Sequence, residues 1–199
     1  MNTRMEYYTL WYLNQWLKNE RKIHQMINSK SKEERLKGVR KGASFFGVAR
    51  TIPKEPEKKK VRYQPFLEII DKYGFQDIKE KNLVGFLEGV HKELANFYGT
   101  NMVSATSKIL WLKFRSPVII LDSQAKKALS VKETNYSNFV SEWNKIYKKK
   151  KNEIVEASSR LSCVSEYIID SDSDIEKITK QEWFYQRVFD IYLWHIGSN

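Results

Sequence analysis

Cysteine occurs once in this chain, at Cys163. A single thiol forms no disulfide within the chain and cannot supply the ligands of a cysteine-bound zinc or iron–sulfur centre. Histidine is scarce too: His24, His91 and His195 are scattered and show no metal-ligand spacing. No apolar run approaches the length that crosses a bilayer, and the opening MNTRMEYYTLWYLNQW lacks a signal-peptide pattern. Strand-like alternation and internal repeats are missing as well. These shortages leave an intracellular, all-α protein with no metal and no cofactor as the expectation.

What is present is positive charge. Lys+Arg number 35 against 24 Asp+Glu, a formal charge of +11 in 199 residues, with 41% hydrophobic and 14% aromatic residues. That composition folds. Its charge either favours a polyanionic partner, nucleic acid before an anionic membrane surface, or is merely a solvated lysine-rich exterior.

Apolar spacing is helical along most of the chain. Tyr8, Trp11, Tyr12, Leu13, Trp16 and Leu17 share one side of a first helix. The run SKEE, from Ser31, has the capping-box pattern that opens a second. TIPKEPEKKK, from Thr51, reads as an exposed connection, because proline interrupts helices and like charges repel. FLEIIDKYG predicts a helix closed by Gly74, and another spans roughly Leu83 to Phe97. Gly99 and Asn101 predict a tight turn before a buried helix from Ser104 to Phe114, which Pro117 ends. FVSEWNKIYKKKK predicts a longer helix whose cationic end, Lys148 to Lys151, suits a helix C-terminus. DSDSD, from Asp170, reads as a polar loop, since Ile175 and Gln181 stand where a calcium loop needs glycine and glutamate. An amphipathic final helix, EWFYQRVFDIYLWHIG, takes Gly197 as its stop.

One stretch stands apart. In PVIILDSQAKKAL the aliphatic run Val118 to Leu121 ends abruptly in Asp122. Aspartate is among the best helix N-caps, so Asp122 either caps a short helix from Ser123 and does nothing more, or caps it and holds a second role. A carboxylate at such a junction is pushed up in proton affinity by apolar surroundings and down by helix-terminal amides, and it can activate water or stabilise a developing cation.

The segment SATSKILWLKFRSPVIILDSQAKKAL, 26 residues from Ser104 to Leu129, resembles the core of the helix-hairpin-helix DNA glycosylases. The adenine-excising branch is especially similar through its P-I-L-D-G-N-V-K-R-V-L segment. The tail RVFDIYLWHIG resembles small bacterial proteins described as 8-oxoguanine glycosylase-like. The resemblance implies an all-α, two-lobed helical bundle: residues 20–116 form one lobe ending in the hairpin-like segment, and 1–19 with 117–199 form the other. It implies a DNA glycosylase, monofunctional, which hydrolyses the N-glycosidic bond of a damaged or modified base extruded from double-stranded DNA. It further implies a monomeric, cytoplasmic, nucleoid-associated protein serving repair or defence against modified phage DNA, without membrane attachment.

Residue by residue, the resemblance makes Asp122 the catalytic aspartate, stabilising oxocarbenium character at the sugar. Ser104 occupies the position of the lysine that attacks the sugar in bifunctional members. Lys108, one turn on, fills that role only if the enzyme is bifunctional; on the residues alone it is an exposed lysine on a buried helix. DNA contacts fall to Gly99, Asn101, Lys113, Arg115, Lys126 and Lys127. The family hairpin L-P-G-V-G is reduced here to YGTNMVS, with only Gly99 and Asn101 kept, so the cations carry more of the anchoring. Trp111, Trp183 and Trp194 are candidates for the base pocket, each also a candidate for the core. The family's four-cysteine cluster is not expected. The alternative is a catalytically inactive glycosylase-like DNA-binding or protein-interaction module.

Overall fold

The computed structural model describes residues 4–53, 62–132, 135–169 and 174–198. Most of TIPKEPEKKK and DSDSD lies outside them. All regular structure among the described residues is helical. The elements are α1 (Met5–Gln15), a π-helical segment Trp16–Glu20, α2 (Arg21–Ile27), α3 (Lys32–Phe45), α4 (Gln64–Ile70), α5 (Leu83–Tyr98), α6 (Val103–Phe114), α7 (Ser123–Ala128), α8 (Tyr136–Ser159), α9 (Ile175–Thr179) and α10 (Glu182–Ser198). Short 3₁₀ turns join several of them. None of these helices is long and apolar enough to cross a membrane.

The chain divides into two compact units. One combines Met1–Arg21 with Asp122–Asn199, and the other is Lys22–Leu121. The sequence expectation set the second division at 116/117. The structure sets it after Leu121, because α6 grips the backbone of Leu121: Ser104 Oγ donates to its carbonyl at 2.9 Å and its amide donates to Ser107 Oγ at 3.0 Å.

In the discontinuous unit, α1 packs on α8 and α10, and α7 lies along α10. Tyr12 and Leu13 of α1, Phe139 and Trp143 of α8, and Phe184, Val188 and Phe189 of α10 are fully buried. Each such side chain contributes about 1.5–3 kcal/mol through apolar area removed from water. In the continuous unit, α3 packs on α6 and α4, and α5 on α6 and α4. Leu87, Val90 and Leu94 of α5 follow the helical period into a core shared with Phe66 and Leu67 of α4 and Ile109, Leu110 and Leu112 of α6.

Several local expectations need correction. The helix before Gly74 ends at Ile70, and Gly74 has an ordinary φ of −109°; its amide donates to Asp77 Oδ2 at 2.7 Å to start a 3₁₀ turn. The lysine run Lys148 to Lys151 lies inside α8, which continues to Ser159 and buries Ile154 and Ala157 beyond it. Gly197 does not stop α10. It is required by close approach, since a Cβ there would lie 1.9 Å from the carbonyl oxygen of Gln124 on α7.

Candidate functional site

Asp122 closes an extended, buried run in which Val118, Ile119, Ile120 and Leu121 are all solvent-excluded. Its backbone is extended, at φ −124° and ψ 146°, and its Oδ1 accepts the amide of Gln124 at 2.9 Å. The carboxylate is thus an N-cap, half-buried at the start of α7. The preceding residue is fixed by the serine clamp on Leu121, and Ser107 Oγ is itself tied to the carbonyl of Ser104 at 3.0 Å. Close packing of α10 on α7 at Gly197 and Gln124 fixes the helix that Asp122 caps.

A buried polar cluster runs through the same unit. Trp143 Nε1 on α8 donates to Asp190 Oδ1 on α10 at 2.8 Å. Arg187 Nη2 donates to Glu20 Oε1 at 3.2 Å, and its Nη1 lies 3.9 Å from Asp190 Oδ2. Tyr12 donates its hydroxyl to Glu20 Oε2 at 3.2 Å. Burial pushes Asp190 up to about 7; Arg187 and the Trp143 hydrogen bond oppose this, while the charges of Asp122 and Glu20 add to it. Burial raises Glu20 as well, against the pull of Arg187. Burial also works against the Arg187 charge, but Glu20 and Asp190 outweigh it and hold the guanidinium protonated. Gln186 Oε1, one turn before Asp190, is buried with no hydrogen-bond partner among the described residues. Reading the sequence missed this cluster. Its signal was an arginine and an aspartate three residues apart inside the apolar run RVFDIYLW.

The remaining candidates divide between the two units. Ser104, Lys108, Trp111 and Lys113 share α6. Ser104 is committed to Leu121. Lys108 is only 7% exposed, which corrects its reading as a surface lysine. Lys113 is 8% exposed and is consumed internally: Nζ donates to the Ile70 carbonyl at 2.7 Å and to Asp71 Oδ1 at 3.2 Å. Burial lowers its pKa, with Asp71 opposing. It therefore has no free ammonium to offer a phosphate. Arg115 caps α6 at a positive φ of 58°, and its charge reaches His24. Gly99, at φ 67°, is the left-handed cap of α5, and Asn101 Oδ1 accepts the amide of Val103 at 3.2 Å to open α6.

Lys126 and Lys127 lie on α7, a turn after Asp122. Trp183 and Trp194 lie on α10. Trp111 is fully buried, and Trp183 is buried with its ring centroid 4.5 Å from that of Trp16, so neither offers an open face to a base. Trp194, at 48% exposure, does.

A pocket of about 1130 Å³ opens in the same unit, bordered by Val155, Ser159, Leu161, Ser165, Ile175 and Tyr185; none of Asp122, Trp143 or Asp190 lines it. Among the described residues no group of three or more His, Cys, Asp or Glu side chains could hold a metal ion. Cys163 is exposed.

No protein-family description, curated protein or solved structure matches this chain.

Proposed function

We propose that this protein is a monofunctional DNA glycosylase of the helix-hairpin-helix type, with Asp122 as its catalytic carboxylate. The observation that carries the reading is the fixation of Asp122: it caps α7, its Oδ1 is held by the Gln124 amide, and the residue before it is clamped by Ser104 and Ser107. A carboxylate so fixed stabilises positive charge at a sugar carbon without reorganising at the moment of reaction. In the proposed step the N-glycosidic bond of an extruded nucleotide breaks, the base leaves with the bonding electron pair, and water adds at C1′ to leave an abasic deoxyribose. The proton released by water passes to solvent or to the departing base.

Ser104 supports hydrolysis over lyase chemistry. It has no amine to form a Schiff base, and its hydroxyl is spent on Leu121. Lys108 is buried a turn further along α6 and is not given the nucleophile's role. The DNA partner is supported by the formal charge of +11. A monomeric, nucleoid-associated protein belongs to the same proposal.

The turn from α5 to α6 favours the second reading, a DNA-binding module without catalysis. It retains a single glycine, Gly99, where the family hairpin carries two. One experiment separates the two. The full chain is incubated with a panel of duplexes bearing damaged and naturally modified bases, and alkali-labile abasic sites are measured. The enzyme yields them on at least one duplex, while Asp122→Asn, which keeps a capping oxygen, yields none and binds DNA within about twofold of wild type. Excision by the substituted protein removes Asp122 from the mechanism, and no product on any duplex leaves the binding module.

A further inference from the structure

Positive charge is unevenly shared along this chain. Residues 22–121 hold 20 Lys+Arg against 10 Asp+Glu, a formal +10, while residues 1–21 and 122–199 hold 15 against 14, a formal +1. Within the cationic unit many charges are already engaged. Lys113 is buried on Ile70 and Asp71, Arg35 binds Asp71 at 3.0 Å, Lys37 pairs with Glu33 at 2.8 Å, and Arg62 donates to the carbonyls of Ala49 and Ile52. Arg40, Lys41 and Arg50 are among those that are not. All three are exposed, and no ion pair or side-chain hydrogen bond engages them among the described residues.

These three cations are presented by rigid backbone. Arg40 and Lys41 lie on the outward face of α3 with exposed Ser44 one turn on, opposite the buried Gly38, Val39, Gly42 and Ala43. The helix ends in paired turn hydrogen bonds, Val48 N to Ala43 O at 2.9 Å and Gly47 N to Ser44 O at 3.1 Å, with Gly47 at φ 67°. That turn brings Arg50 back beside the end of α3, and the Arg62 guanidinium pins the carbonyls on either side of it.

We infer that Arg40, Lys41 and Arg50 form a binding surface for the sugar–phosphate backbone of double-stranded DNA. The assignment rests on the reading of DNA as the partner. Charge complementarity selects a polyanion, and three exposed cations on fixed backbone suit phosphate contacts that position a duplex without reading sequence. A membrane surface fits less well. Helices that lie on lipid expose an apolar face, whereas the apolar face of α3 is buried and none of the exposed large hydrophobic residues belongs to it.

The test compares the full chain with Arg40→Gln/Lys41→Gln/Arg50→Gln, in which glutamine keeps helix propensity. A charge-matched control, Lys145→Gln/Lys148→Gln/Lys149→Gln, removes three cations from α8. Binding of a fluorescent duplex is titrated over a range of salt. The α3 variant loses about tenfold or more in affinity near physiological salt, and its log K against log salt slope falls by about 3, close to one per phosphate contact. The control changes by less than about threefold. Equal losses in both proteins, no loss in the α3 variant, or no duplex binding by wild type overturns the surface. So does loss of binding to phosphatidylserine vesicles with duplex binding intact. A wild type that binds duplex through α3 but releases no base refutes the glycosylase reading and leaves this surface standing.

Discussion

Trp143 donates its indole N–H to Asp190 across 2.8 Å, with both side chains buried between α8 and α10. The hydrogen bond and the Arg187 guanidinium favour the charged carboxylate, yet burial outweighs them and pushes Asp190 from 3.8 up to about 7. An acid whose folded pKa is raised stabilises the fold fully below its unfolded value, and that contribution is lost as pH rises through the folded value. The melting temperature of wild type relative to Asp190→Asn therefore falls as pH rises from about 4 to about 7. A difference that stays flat across this window, measured by thermal denaturation, excludes Asp190 as a titrating core group.

His24 acts in the opposite sense. Burial lowers it to about 4, against the hydrogen bond with the Leu112 carbonyl at 2.7 Å. A base with a depressed folded pKa contributes stability above its unfolded value of 6.5, and loses it as pH falls toward 4. Relative to His24→Gln, wild type gains stability between about pH 4 and 6.5, read from urea denaturation at matched ionic strength.

Removing the Ser107 hydroxyl strands the buried amide of Leu121. Ser107→Ala costs about 1–3 kcal/mol of stability, the penalty for an unsatisfied buried donor. Ser104→Ala removes one donor to the Leu121 carbonyl and costs about 1 kcal/mol. The order of the two losses in chemical denaturation checks the clamp.

Gly197→Ala drives a methyl group into the Gln124 carbonyl. Backbone must shift to admit it, at a cost of about 1–3 kcal/mol. Amide exchange in α7 rises in this variant relative to α3, which reports that the strain is felt at the contact and not throughout the protein.

Lys113 is a structural cation. Lys113→Met destabilises the protein by about 1–3 kcal/mol, because Ile70 and Asp71 lose a buried donor. Its affinity for duplex DNA stays within about twofold of wild type. A large loss of affinity with stability intact returns Lys113 to the DNA surface.

The helices were legible because apolar residues recur at the helical period, and local chemistry was legible where it is short-range. Ser31 accepts the Glu34 amide at 3.4 Å as SKEE predicts, and Asp122 caps α7. Lys108 and Lys113 were misjudged because charge alone suggests exposure, while the Lys113 acceptors lie more than 40 residues away in sequence. Gly197 was taken as a helix stop because its true constraint, the Gln124 carbonyl, is supplied by a distant element. The Glu20–Arg187–Asp190 cluster was hidden for the same reason: Glu20 lies 167 residues from Arg187 and meets it only when the π-helical segment packs on α10.

The discontinuity of one unit has a consequence for biosynthesis. Tyr8, Tyr12 and Leu13 leave the ribosome before residues 22–121, and the α8 and α10 surfaces that cover them leave it afterwards. Residues 22–121 can close around their own core while this aromatic edge of α1 still waits, uncovered, for α8 and α10 to be translated. A nascent chain stalled before α10 thus displays a sticky α1, and that is the form a holdase chaperone would have to shield.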